Sequence, residues 1–330
     1  MNIPVLIDCD PGADDVFALL RILILHHRHS VPLDLVAITT VGGNVSADHT
    51  YANAVRMVDF VWVEGIAIGK DKRPVSAEGD ASHIHGADGI GNLSSMLPPP
   101  STQLHDYDSV DLMIEMLDRH SWQLTILATG PMTNLARVEA KRPGILRQAK
   151  YIIAMGWSFV WGNVTPVAEF NIRYDPESAK AVFAATDNIV LIPLDVTQSM
   201  VYTMADTERF LPRRQAGLTE INHSVKAEFM RQLTAFAIST NTRFRETHYE
   251  QWFFVHDAQT VGFLLYPHLY RGTLMDVQVE TKGEYTRGQT IVDTRNYPRI
   301  GYHKSLVLTS VDKYGLLEAL TQDFKEFDFG

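Results

Sequence analysis

Cysteine is almost absent from this 330-residue chain. Cys9 stands alone, so no internal disulfide can form, and its place in an apolar run marks it as a small buried residue of a reducing compartment. Positive charge is also scarce: 29 lysines and arginines face 39 aspartates and glutamates, for a formal net charge of -10. With no basic patch, that balance argues against a nucleic-acid or membrane surface and suits a small-molecule substrate. Nor does any uninterrupted apolar run reach the roughly 18 residues of a membrane span. The first aspartate, Asp8, comes too early for the apolar core of a signal peptide. The expected address is therefore the cytoplasm. Internal repeats, low-complexity tracts and convincing linkers are missing too. At 45% hydrophobic content the chain can bury a full core, and one domain over residues 1–330 with inserted loops is the expected organisation.

What is present is alternation. Short apolar runs such as IPVLI, LDLVAITTV, WQLTILAT, KYIIAM and NIVLIPL are separated by helical patterns, among them Asp15 to about His27, Ser46 to about Phe60, and DPESAKAVFAA. That rhythm predicts an α/β fold, a Rossmann-like open and mostly parallel sheet flanked by helices, with its functional loops at the carboxyl ends of the strands. The helix over Val16 to Leu25 is apolar on nearly every side, as expected of one buried against the sheet. Residues 70–106 are rich in Gly and Pro and read as a long loop, and GWSFVWGNVTPVAEFN at 156–171 reads as another. Beyond Leu194 the pattern turns more helical, roughly 205–267, before late strand-like runs around TLMDVQVET and SLVLTS.

Polar clusters fall where such a sheet places its ligands. DCDPGADD puts Asp8, Asp10, Asp14 and Asp15 within eight residues, directly after the first strand. Helix capping accounts for one or two of these carboxylates. Four crowded together repel one another unless something positive joins them. A hard cation such as calcium or magnesium takes carboxylate and carbonyl oxygens, whereas zinc would want histidine or cysteine. An EF-hand is excluded, because Ala13 and Leu19 stand where its glycine and glutamate belong. A magnesium-dependent phosphatase with Asp8 as nucleophile is the rival reading of the same Asp-x-Asp pair. Further segments converge on the same predicted cleft: Gly42 to Asn44, Thr129-Gly130, Met155 to Asn171, and His256-Asp257. Asn163, Glu169 and Asn171 supply groups that hold sugar hydroxyls, although loop residues of these types often satisfy their own backbone. His83 and His85 lie in the polar segment SHIHGADGIGN of the long loop.

Taken together, DCDPGADD, TTVGGN, HGADGIG, ATGPMTNLA, GNVTPVAEFNIRYDPESA and HDA resemble the nucleoside hydrolase family, its inosine-uridine-preferring branch in particular. The resemblance runs from residue 3 to about residue 258 and implies calcium-dependent cleavage of ribonucleosides into base and ribose, as in nucleoside salvage. By that resemblance calcium is held by Asp10, Asp15, Asp257 and the Thr129 carbonyl, with Asp10 as the base that activates water. Asp14, Asn44, Met155, Asn163, Glu169, Asn171 and Asp257 match the ribose site. His256 and His85 match histidines near the nucleobase associated with leaving-group activation, and the family suggests a homodimer or homotetramer. A non-catalytic nucleoside or sugar sensor is the third reading. One departure is MGW: the family usually carries a second glycine where Trp157 stands, an indole expected to reshape the pocket or to offer a stacking face. The purine-specific branch has a tryptophan just before the last metal aspartate, so His256 favours an inosine-uridine or pyrimidine-type pocket.

Overall fold

The structure is a computed structural model that describes residues 2–73, 79–101, 107–212, 224–244, 250–292 and 304–330. Pro74, with the rest of 74–78, and residues 102–106 of the turn-rich stretch lie outside the described residues. So do 213–223 and 245–249 of the helical stretch.

Strand β1 (Ile3–Cys9) leads into α1 (Asp15–Arg28), and β2 (Leu33–Thr40) into α2 (Ala47–Val61), which is capped by the Ser46 side chain. There follow β3 (Ala67–Lys70), α3 (Ser82–His85), β4 (Tyr107–Asp108), α4 (Ser109–Arg119), β5 (Thr125–Ala128) and α5 (Thr133–Lys141). The middle of the chain holds β6 (Tyr151–Met155), α6 (Phe170–Tyr174), α7 (Pro176–Ala185), β7 (Ile189–Ile192) and α8 (Leu194–Thr197). After β8 (Val201–Tyr202), the stretch read as helical contains α9 (Met204–Glu208), α10 (Val225–Phe244), β9 (Phe253–Phe254) and α11 (Ala258–Leu265). Strands β10 (Tyr270–Val279), β11 (Thr290–Val292) and β12 (Lys304–Val311) and helix α12 (Lys313–Lys325) close the chain.

The main sheet has the order β11-β10-β12-β7-β6-β5-β1-β2-β3-β4. From β12 to β4 every pairing is parallel, and β10 joins β12 and β11 antiparallel. The expected α/β architecture is present. Because β1 is hydrogen-bonded on both sides and covered on both faces, its interior must be apolar, and from Pro4 to Cys9 every residue is buried. Val5, Ile7 and Cys9 face one core with α1, α2, α11 and α12, while Leu6 faces a second with α4, α5 and α7. Two expectations need correction. The supposed helical stretch is interrupted by β9, which pairs with β8 just ahead of that stretch, and the turn-rich stretch carries the short α3.

The chain walks outward from β1 to β2, β3 and β4 on one side and from β5 to β6, β7 and β12 on the other. The order therefore reverses between β1 and β5. At that switch point the loops leaving the two strands diverge to opposite faces and leave a crevice at their carboxyl ends.

Candidate active site

A cavity of about 570 Å³ opens at this crevice. Asp14, Asn44, His85, Thr129, Met155, Asn163, Glu169, Asn171, His256 and Asp257 all line it. Asp10 and Asp15 lie buried beneath its floor, each 1% exposed. Every site residue expected from the sequence is thus in or directly under one cavity.

Burial of the floor has an electrostatic consequence. Asp15 is pushed up to about 8, first by loss of water and then by the neighbouring Asp14 charge. Asp10 is held well above the usual carboxylate range by burial and then by Asp15, and Asp257 by burial and then by Asp15, Asp14 and Asp10. Helix capping does not explain these groups. Asp14 and Asp257 occupy the N-cap positions of α1 and α11, yet neither side chain makes a capping hydrogen bond. Carboxylate oxygens of Asp14, Asp15 and Asp257 instead converge within 4.8 Å of one another. One oxygen each of Asp10 and Asp14, both Oδ1, is buried without a hydrogen-bond partner among the described residues. Hard carboxylate oxygens, two of them without a hydrogen-bond partner among the described residues, suit a hard divalent cation. The tight trio contains Asp14 where the family resemblance places Asp10.

The floor is braced by amides. Asn44 donates its backbone N–H to Asp10 Oδ2 at 2.8 Å and its Nδ2 to Asp15 Oδ2 at 2.8 Å, so its amide is spent on the acidic cluster. That close approach explains the second glycine of TTVGGN, because a Cβ on Gly43 would lie 2.1 Å from Asp10 Oδ2. Thr129 donates its hydroxyl to Asp15 Oδ1 at 2.8 Å, while its carbonyl accepts from Asn171 Nδ2 at 2.8 Å. Glu169 caps α6, its Oε1 accepting from Asn171 N–H at 3.0 Å and its Oε2 from Ile172 N–H at 3.1 Å. Asn163 Oδ1 accepts from Phe170 N–H at 2.8 Å. The EFN segment therefore satisfies its own backbone and presents its remaining lone pairs to the cavity.

The two histidines differ in kind. His85 Nδ1 accepts the Ala13 N–H at 3.1 Å, and burial pushes its pKa down. Its single proton is thereby confined to Nε2, a fixed hydrogen-bond donor. His256 Nδ1 instead faces the Thr197 hydroxyl at 2.7 Å, a pairing in which either atom can donate. Asp8, the nucleophile of the phosphatase reading, points away from the cavity and accepts from Thr39 Oγ1 and Asn134 Nδ2, both at 2.8 Å.

Trp157 behaves unlike the expectation. Its indole is 0% exposed, packs with Phe159 in the second core and does not line the cavity, so it neither stacks there nor narrows the pocket. Only its backbone takes part, donating N–H to Glu169 Oε2 at 3.1 Å from a positive φ of 89°. Sequence reading missed one wall altogether. Phe236, Thr240 and Asn241 of α10, with Phe253 and Phe254 of β9, complete the cavity. Their only signal was a helix that mixes aromatic and small polar residues, which does not single out a site.

The sequence profile described as inosine-uridine preferring nucleoside hydrolase matches residues 5–318. The chain belongs to that family. It is 34% identical over 338 residues to the pyrimidine-specific ribonucleoside hydrolase RihA of Enterobacter sp. (strain 638), covering 99% of each chain. It is also 34% identical over 336 residues to RihA of Escherichia coli (strain K12), covering 98% and 99%. Among solved structures, the plant nucleoside hydrolase PpNRh1 superposes with a TM-score of 0.85 at 27% identity, covering 98% of this chain and 99% of that one. A purine-preferring ribonucleoside hydrolase from Gardnerella vaginalis gives 0.82 at 26% identity, with 98% of both chains covered. This nucleoside hydrolase is a ribonucleoside N-ribohydrolase, and the acidic floor is the centre of its cavity.

Proposed function

We propose that this hydrolase cleaves the N-glycosidic bond of pyrimidine ribonucleosides, uridine and cytidine ahead of inosine, with calcium as its cation. The observation that carries the reading is the convergence of Asp14, Asp15 and Asp257 at the cavity floor, beside a buried Asp10 oxygen that has no hydrogen-bond partner among the described residues. Asp10, Asp15, Asp257 and the Thr129 carbonyl are the groups assigned to the cation, with Asp14 between it and the ribose. A bound divalent cation supplies a water whose pKa is lowered towards neutrality. Asp10 takes the proton from the attacking water. Asp14, Asn163, Glu169 and Asn171 orient the ribose, and the surrounding carboxylates favour the positive charge that develops on it in an oxocarbenium-like transition state. His256 rather than His85 is assigned the departing base. A proton held only on Nε2 of a neutral ring serves as a hydrogen-bond donor, whereas the hydroxyl beside His256 lets that ring change state. The pyrimidine preference rests on relatives at 34% identity that carry that specificity in their names.

The test is direct. Purified protein with excess calcium is incubated with uridine, cytidine and inosine, and released ribose is followed. Release from uridine and cytidine in preference to inosine is expected. Faster turnover of inosine would overturn the preference, and release from none of the three would overturn the mechanism.

A further inference from the structure

The buried helix α1 contains one residue that its packing does not call for. Arg21 sits in the second turn after Asp15, surrounded by apolar neighbours, and is 1% exposed. Burying a guanidinium costs several kcal/mol unless its partners are well placed. Here Arg21 Nε donates to Asp323 Oδ2 of α12 at 2.7 Å, and Nη2 lies 2.6 Å from the same oxygen. Tyr266 donates its hydroxyl to Asp323 Oδ1 at 2.8 Å, and the guanidinium carbon lies 5.7 Å from the centre of the Tyr266 ring. The remaining arm matters most: Arg21 Nη1 donates to the carbonyl of Ala258 at 2.9 Å.

Ala258 is the residue after Asp257 and the first of α11. One guanidinium thus joins the helix that begins with Asp14 and Asp15 to the helix that begins at Asp257, and joins both to α12. The packing makes room for it, because a Cβ on Gly262 would lie 3.3 Å from Arg21 Nη1 and 2.8 Å from the Tyr270 hydroxyl. The helix ends it spans carry like charges that repel, so their spacing depends on something other than the carboxylates themselves.

We propose that Arg21 is a positioning residue for the acidic floor: its ties to Ala258 and Asp323 set the distance between Asp257 and the Asp14-Asp15 pair, and so set the affinity for a divalent cation. This rests on the reading that those carboxylates hold one. A purely structural ion pair predicts something different. Replacing a buried pair by apolar residues of similar volume is often neutral for stability or improves it. The double variant Arg21→Met with Asp323→Leu therefore separates the two roles.

The measurement is calcium binding by titration calorimetry on the full chain, alongside thermal unfolding without calcium. The double variant is expected to melt within a few degrees of the parent and to bind calcium about tenfold more weakly, a loss of about 1.4 kcal/mol. Arg21→Lys keeps the charge but not the forked geometry, and is expected to lie between the two. If the parent binds no calcium, the metal reading fails. If the parent binds it and the folded double variant binds within twofold, the positioning role fails. Should the double variant not fold, Asp323→Asn decides by the same criterion, with a severalfold weakening expected.

Discussion

The floor of the cavity and its α10 wall face the same volume but are built on different terms. The floor gathers charged and amide groups from the ends of β1, β2, β5 and β6 and from the start of α11, and most of its donors are committed: Asn44 to Asp10 and Asp15, Thr129 to Asp15, Asn171 to the Thr129 carbonyl. The wall offers Phe236 and Phe254, with Thr240 and Asn241 as its small polar groups, while the ring of Phe253 is buried in the core against Phe17 and Tyr202. Pre-organised charge suits the sugar, which every ribonucleoside shares and where charge develops. Flat apolar surface with a few hydrogen-bonding groups suits the base, which differs between substrates. If the sugar sits on the floor and the base against this wall, chemistry and selectivity fall to different parts of one cavity.

The strongest way to break that division is at Asp10. Asp10→Asn removes the base and one anionic oxygen while keeping the shape that accepts the Asn44 N–H, and kcat is expected to fall by three orders of magnitude or more, roughly the scale of losing base and metal ligand together. If the floor serves only the shared ribose, the uridine-to-inosine ratio of kcat/KM stays within about threefold of the parent. A ratio that moves tenfold would show that floor and wall are not separable.

A second effect concerns the floor alone and has a definite sign. In calcium-free buffer Asp15 titrates near 8 in the folded protein against an ordinary 3.8, and Asp10 and Asp257 are raised as well, burial being the first cause for each. A raised folded pKa means stability that is complete below about pH 4 and lost as pH climbs towards 8. With chelator present, unfolding free energy is expected to decline between pH 5 and 8 by on the order of 1 kcal/mol per unit. Excess calcium should flatten or reverse the trend, because the cation favours the ionised carboxylates. A chelated protein that grows more stable over this range would contradict the assignment of the floor.

How far each region could be read before the fold was known follows the same line. DCDPGADD, TTVGGN and HDA were legible because the floor needs charge and close backbone approach, which only a few residue types provide. Strands β1, β2, β5, β6 and β7 were legible as apolar runs between helical patterns. The two-residue β8 and β9 were not, since runs that short carry no period, and β3 was not because its Ala-Ile-Gly-Lys carries only two apolar residues. The wall escaped because Phe236 or Thr240 would look the same on any packed helix. Arg21 was passed over as one charge in an apolar helix, and its partners Asp323 and Ala258 lie far away in sequence. The opposite error befell Trp157, whose neighbours in sequence line the cavity while its own indole turns into the core.

The wall can be tested by itself. Asn241→Ala leaves the acidic cluster untouched and removes an amide from the cavity lining. If that amide reads the base, kcat/KM for uridine is expected to drop about tenfold relative to inosine, the scale of a lost hydrogen bond to a substrate group. Calcium affinity should be unchanged. Equal losses on both nucleosides would move Asn241 from selectivity to general support of the cavity.

The smallest expected effect is at Asp8, and it is informative because it is small. Asp8 belongs to the same acidic run as Asp10, but it is still inside β1, on the face it shares with Leu6, where it binds Thr39 and Asn134 through one oxygen, whereas Asp10 lies in the loop beyond the strand. Burial pushes its pKa up to about 7, so at neutral pH a neutral side chain of the same shape replaces it at little cost. Asp8→Asn keeps an oxygen in place for both donors. Ribose release is expected to stay within about threefold of the parent, since no group that touches substrate is altered. A phosphatase using Asp8 as nucleophile would lose its activity entirely with this change. A large loss of ribose release, in a folded protein with unchanged calcium affinity, would mean that the end of β1 and the loop beyond it are coupled and that the floor reaches deeper into the sheet than its hydrogen bonds indicate.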